Sequence, residues 1–126
     1  MNGITKEEVA EYIALRWGTR AEYIFKNSPN TGIFRHHENK KWYGALMRVP
    51  LSKFGSKKGG SVNILNCKCD PVLLAGLIDG KSIFPAYHIN KTHWLSLFLD
   101  GSLDPETVFP IIELSYQMTL PMRHIN

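Results

Sequence analysis

Two Asp-Pro dipeptides, Asp70–Pro71 and Asp104–Pro105, each stand directly before a helix-forming run. In "DPVLLAGLIDG" the Asp70 side chain can take the first free amides, and Pro71 suits the first helical position, where an N–H would lack a partner anyway. Gly80 lies just past the end of that run. "DPETVFPIIELSYQM" repeats the arrangement, with Asp104 as cap and Val108, Ile111, Ile112, Ser115 and Tyr116 on one face. Pro110 cannot donate to the Glu106 carbonyl, so a kink or a later start is expected there. A third helix, Thr5 to about Trp17, opens with a capping box, Thr5 and Glu8. Val9, Tyr12, Ile13 and Trp17 make its apolar stripe, and Gly18 ends it.

The segments between these helices read as strands: "AEYIFK", "GIFRHH", "KWYGALMRV" and "SVNILNCK", then "FPAYHIN" and "HWLSLFL". The order is α-β-β-β-β-α-β-β-α. Antiparallel runs of strands with few helices predict an α+β fold, its helices packed against an antiparallel sheet. At 126 residues the chain has the length of one domain, taken here as residues 1–126. No apolar run approaches the roughly 18–20 residues of a membrane span. The start "MNGITKEEVAEY" carries no signal or transit pattern. A soluble, cytoplasmic protein with no membrane contact is the expectation.

Cys67 and Cys69 alternate on one strand, about 6.5–7 Å apart, too far for a disulfide. Their C-x-C spacing, without a second pair, does not make a zinc knuckle. They are expected to be reduced thiols. From Arg35 to Lys68 there are eight basic residues against one acid, Glu38; the rest of the chain holds seven basic and ten acidic residues. Such clustering favours a polyanionic partner, because each lysine or arginine at a phosphate releases condensed counterions. "PLSKFGSKKGGS" reads as a mobile basic loop.

"YHINKTHW" puts His88 and His93 five apart, joined as a hairpin through Lys91–Thr92. His36 and His37 could supply at most one further ligand, since neighbours on a strand face opposite ways. No H-E-x-x-H or carboxylate cluster accompanies them. Elbow, P-loop and dinucleotide signatures are absent, and "GSKKGG" lacks the helix a phosphate loop needs. No metal, no cofactor and no enzymatic activity are expected.

Three stretches, "CKCDPVLLAGLID", "FPAYHINKTHWLSLFLDG" and "IIELSYQM", resemble the MmcQ/YjbR family of small bacterial proteins. That family's strand ending in Lys-x-Asp-Pro matches Lys68, Asp70 and Pro71. Its His-x-Asn-Lys-x-His-Trp hairpin matches His88, Asn90, Lys91, His93 and Trp94, and its Ser-Tyr pair matches Ser115 and Tyr116. The likeness runs from about Tyr23 to Met118 and is looser at "KKWYGALMRV", where Lys40–Lys41 replaces Gly-Lys. The resemblance implies an α+β fold similar to the CyaY-like group and to double-wing DNA-binding domains, and DNA binding as the function.

The expected function is therefore non-enzymatic binding of duplex DNA by a monomer. Arg35, Lys40, Lys41 and Arg48 would stand on the sheet, and Lys53, Lys57 and Lys58 on a flexible wing. The alternative is a protein-interaction or small-ligand module built on the His88–Trp94 hairpin, with Tyr87, Trp94 and Tyr116 as its aromatic contacts.

Overall fold

The computed structural model describes residues 3–122. Its elements are α1 (Lys6–Trp17), β1 (Gly32–Arg35), β2 (Trp42–Pro50), a 3-10 turn (Leu51–Phe54), β3 (Ser61–Lys68), α2 (Pro71–Leu77), β4 (Ile83–Pro85), β5 (Trp94–Phe98) and α3 (Pro105–Met118). The strands form one antiparallel sheet in the order β1-β2-β3-β5-β4. The α+β fold expected from the sequence is the fold observed.

The caps behave as their residues require. Thr5 and Glu8 exchange hydrogen bonds at 3.2 Å in a capping box. Gly18 ends α1 at φ 70°, a left-handed conformation open to glycine at little cost. Asp70 accepts from the Val72 and Leu73 amides, and Asp104 from the Thr107 amide. Pro110 does not interrupt α3, which continues through it to Met118 with the proline on the exposed side. There the orphaned Glu106 carbonyl can meet water.

Leu46, Leu65 and Leu97 stand in register across β2, β3 and β5. They share a core with Val9 and Ile13 of α1 and with Val108, Ile111 and Ile112 of α3. The two helices are clasped by stacked rings, Tyr12 on Phe109 at 3.8 Å and Trp17 on Tyr116 at 3.9 Å. Arg16 and Glu113 pair at 2.8 Å beside them, and the Tyr12 hydroxyl donates to the same carboxylate. Each aromatic pair is worth about 0.5–1.5 kcal/mol beyond the area it buries. Cys67 and Cys69 are free and buried on the helix side of β3, and burial pushes the Cys67 thiol well up.

Between Phe34↔Gly44 and Arg35↔Trp42 the β1–β2 register skips Tyr43. This bulge turns Tyr43 into the helix-side core and leaves Trp42 half-buried. Burial pushes the Tyr43 hydroxyl up to about 12. The far face of the sheet holds a smaller cluster, Val49, Val62, Ile64 and Phe98, covered by Phe54, Phe84 and Tyr87.

Three expectations change. "AEYIFK" is not a strand: it makes a single bridge, Glu22↔Ile33, before turns at Ser28 and Thr31 draw the chain away. The sheet therefore has five strands, not six. The second helix ends at Leu77, because Asp79 Oδ1 takes the amides of Lys81, Ser82 and Ile83 at 2.8–2.9 Å and folds the chain into a turn. "FPAYHIN" is strand only to Pro85, and the chain from Ala86 to His93 is a broad loop.

Candidate functional site

The basic residues of the Arg35–Lys68 segment do not share one surface. Lys40 and Lys41 lie in the turn between β1 and β2, whereas Lys53, Lys57 and Lys58 lie between β2 and β3. β2 has nine residues, and eight rises of about 3.4 Å set the two turns roughly 27 Å apart. Arg35 is committed to Glu22 through two hydrogen bonds, of 2.9 and 2.7 Å, which hold the Glu22 carboxyl below the usual range. Arg48 reaches across to Asn63 Oδ1 at 3.3 Å and to the Ser61 carbonyl at 3.5 Å. The basic residues are thus not gathered on one sheet face: between the lysine turns lies a groove of about 370 Å³ lined by Ile33, Trp42, Met47 and Val49 and bordered by Arg48, Tyr87 and His88.

The Lys53–Lys58 loop is better anchored than its composition suggests. Leu51–Phe54 winds into the 3-10 turn, and the Leu51 amide donates to the Gly60 carbonyl at 3.0 Å across the loop base. Phe54 packs at 5.0 Å against both Phe84 and Phe98. The wing is a tethered turn that holds Lys57 and Lys58 exposed.

The segment from His88 to Trp94 is not the tight hairpin expected. Pro85 pairs with Leu95, and the Ala86 amide meets the Trp94 carbonyl, so seven residues loop out between them. Three side-chain hydrogen bonds tie this loop to β3 and β5. Asn66 Nδ2 donates to the Tyr87 carbonyl at 3.0 Å, Ser96 Oγ accepts from the Tyr87 amide at 3.0 Å, and Ser96 Oγ donates to Asn66 Oδ1. Sequence reasoning passed over Asn66 and Ser96; the available signal was a polar residue set between apolar neighbours in each strand, Asn66 between Leu65 and Cys67 and Ser96 between Leu95 and Leu97.

Most of the motif residues serve the architecture. Asn90 Oδ1 takes the Thr92 amide at 2.8 Å, and Lys91 Nζ donates to the Ala86 carbonyl at 2.8 Å. His93 works through its backbone, accepting from the Cys69 amide at 2.7 Å, while its side chain is exposed. His88 is exposed with φ 61°, a left-handed conformation that histidine adopts more readily than most residues other than glycine. Asp70 and Pro71 start α2. Ser115 Oγ accepts from the Lys68 amide at 2.9 Å and donates to the Tyr43 carbonyl at 2.6 Å. Tyr116 belongs to the Trp17 stack and is no part of the loop.

The structure does bring Lys68 and Trp94 together as register partners. With Lys41, Trp42 and Ile89 they border an opening of about 320 Å³, where two lysines stand beside two indoles. Among the described residues, no three His, Cys, Asp or Glu side chains gather as a metal site, and no helix is long and apolar enough to cross a membrane.

Known proteins resemble this chain in sequence and in fold. The uncharacterized protein YyaQ of Bacillus subtilis (strain 168) is 38% identical over 117 residues, 92% of this chain and 98% of that one. A crystal structure of a Pseudomonas syringae protein superposes with a TM-score of 0.89 at 32% identity, over 93% of this chain and 100% of the other. A Deinococcus radiodurans protein with a DUF419 domain shares the fold alone, with a TM-score of 0.68 at 21% identity over 91% of this chain and 78% of its own. The YjbR family model matches residues 16–118, and the chain accordingly belongs to the YjbR family.

Proposed function

We propose that the chain binds duplex DNA without catalysis, as a cytoplasmic monomer, through lysines carried at both ends of β2. The observation that supports this reading is the spacing of its two lysine turns. Lys40–Lys41 and Lys53–Lys58 stand roughly 27 Å apart, the length of about eight base pairs at 3.4 Å each. Among the described residues, no carboxylate lies at ion-pair distance from these lysines. The turns act as two wings that meet phosphates on either side of a shallow apolar floor. Lys68, at the opening beside Trp94, adds a further cation. Phosphate contacts of this kind fix position and carry no base sequence. Arg35 and Arg48, already hydrogen-bonded within the protein, drop out of the set first expected.

The test is fluorescence anisotropy with a labelled duplex, comparing a Lys40→Glu/Lys41→Glu variant with a Lys57→Glu/Lys58→Glu variant. Both pairs should weaken binding, because both wings are used. Loss from one pair alone would reduce the site to one end of β2.

A further inference from the structure

A cleft of about 540 Å³ opens where the end of α1, the turn after β1 and the end of α3 meet. Its volume falls in the range that holds small molecules, about 300–1,000 Å³. It is separate from the Lys53–Lys58 wing and from the opening beside Trp94.

Its charge is arranged for an anion. Arg20 and Lys40 stand exposed on the wall, and neither is within ion-pair distance of a carboxylate among the described residues. Two carboxylates also border the cleft, Glu22 and Glu38, and Glu22 is already held by Arg35. Lys40 is fixed in place at some cost. Its φ is 62°, in the left-handed region that a lysine seldom adopts. The turn keeps it there: the Lys40 amide donates to the His36 carbonyl at 3.1 Å, and Asn39 ties the Lys41 amide to the Thr119 carbonyl through bonds of 3.0 and 2.9 Å.

His36, at 6% exposure, also lines the cleft, and its tautomer is fixed by its partners. Nε2 lies 3.1 Å from the Tyr116 carbonyl, which can only accept. Nε2 also lies 2.8 Å from Thr119 Oγ1, whose own hydrogen is directed to the Ser115 carbonyl at 2.8 Å. Nε2 therefore carries the proton, and in the neutral ring Nδ1 is left as a lone-pair acceptor. Burial lowers the His36 pKa, which favours that neutral ring. A cationic wall and the His36 ring thus border one cavity, with the Trp17–Tyr116 stack beside them.

We propose that this cleft binds a small hydroxylated oxyanion, with the anionic group held by Arg20 and Lys40 and a ligand hydroxyl donating to His36 Nδ1. Sugar phosphates and hydroxy acids both have this chemistry. The guanidinium fork of Arg20 suits either a phosphate or a carboxylate.

The experiment is a ¹H–¹⁵N NMR titration of the full chain with glycerol 3-phosphate, with glycerate and with methyl phosphate, which lacks the hydroxyl. Saturable shifts at Thr19, Arg20, His36 and Lys40 are expected for at least one of the first two, and the tighter binder identifies the anionic group. Methyl phosphate should bind roughly tenfold more weakly, as expected for one lost hydrogen bond. Arg20→Gln and Lys40→Gln should each weaken binding by about tenfold, the loss of one charge-assisted contact. Lys57→Glu/Lys58→Glu should leave the affinity unchanged, and Arg20→Gln, outside both lysine wings, should leave duplex binding unchanged, which together separate this site from DNA binding although Lys40 borders both. No saturation by either hydroxylated anion at millimolar concentration would overturn the proposal. So would equal affinity for methyl phosphate, or undiminished binding by a folded Arg20→Gln/Lys40→Gln variant.

Discussion

The Ser115 hydroxyl accepts the Lys68 amide at 2.9 Å, joining α3 directly to the backbone of β3. Its own hydrogen goes to the Tyr43 carbonyl of β2 at 2.6 Å, so one side chain at 0% exposure links three elements. Ser115→Ala leaves a donor and an acceptor unpaired in the core, at about 1–3 kcal/mol each. Urea unfolding should show a loss of that order with an unchanged slope. A loss below about 0.5 kcal/mol would mean that the backbone groups find other partners.

Trp94 and His93 are neighbours with opposite expected behaviour. Trp94, the first residue of β5, is 9% exposed, so Trp94→Ala should cost roughly 3–5 kcal/mol. The exposed His93 side chain leaves the structural work to its backbone, and His93→Ala should stay within about 0.5 kcal/mol of wild type. Thermal unfolding of the two variants side by side checks both.

Ser96→Ala removes the hydroxyl that takes the Tyr87 amide and donates to Asn66. Hydrogen exchange at Tyr87 should accelerate while exchange in α3 stays slow, because only the loop loses its tether. Equal acceleration throughout would place Ser96 in the global core instead.

His36 gives stability a pH dependence of defined sign. Its pKa in the folded chain lies below the ordinary 6.5, chiefly because burial disfavours the charged ring. Below about pH 6.5 the unfolded chain then binds a proton that the folded chain refuses, so this group's contribution to stability falls as pH drops through that window. The NMR midpoint of His36 should lie under 6.5. A midpoint at or above that value would contradict the buried, neutral ring.

Much of the fold could be read from short-range chemistry. Caps at Thr5, Asp70 and Asp104 act on amides two or three residues away, so the sequence displays them. What it hides depends on partners distant in the chain. Tyr43 reads as an alternating strand residue until the β1–β2 bulge turns it inward. Asn66, Ser96 and Tyr87 become a network only once β3 and β5 pair. The basic segment misled for the same reason: a run of lysines close in sequence becomes two separate turns when a nine-residue strand divides it. Arg35 seemed available because Glu22, its partner, is 13 residues earlier.

The two-winged DNA reading is tested most directly by the salt dependence of duplex binding. If Lys40, Lys41, Lys53, Lys57 and Lys58 neutralise about five phosphates, log K should fall against log salt with a slope near −4.5. Lys57→Glu/Lys58→Glu should flatten that slope by about two units and weaken all duplexes alike, since phosphate contacts carry no sequence. The exposed turn should stay folded, with Phe54 still holding it to the sheet. No binding at low salt, or a slope indifferent to the double charge reversal, would contradict the account.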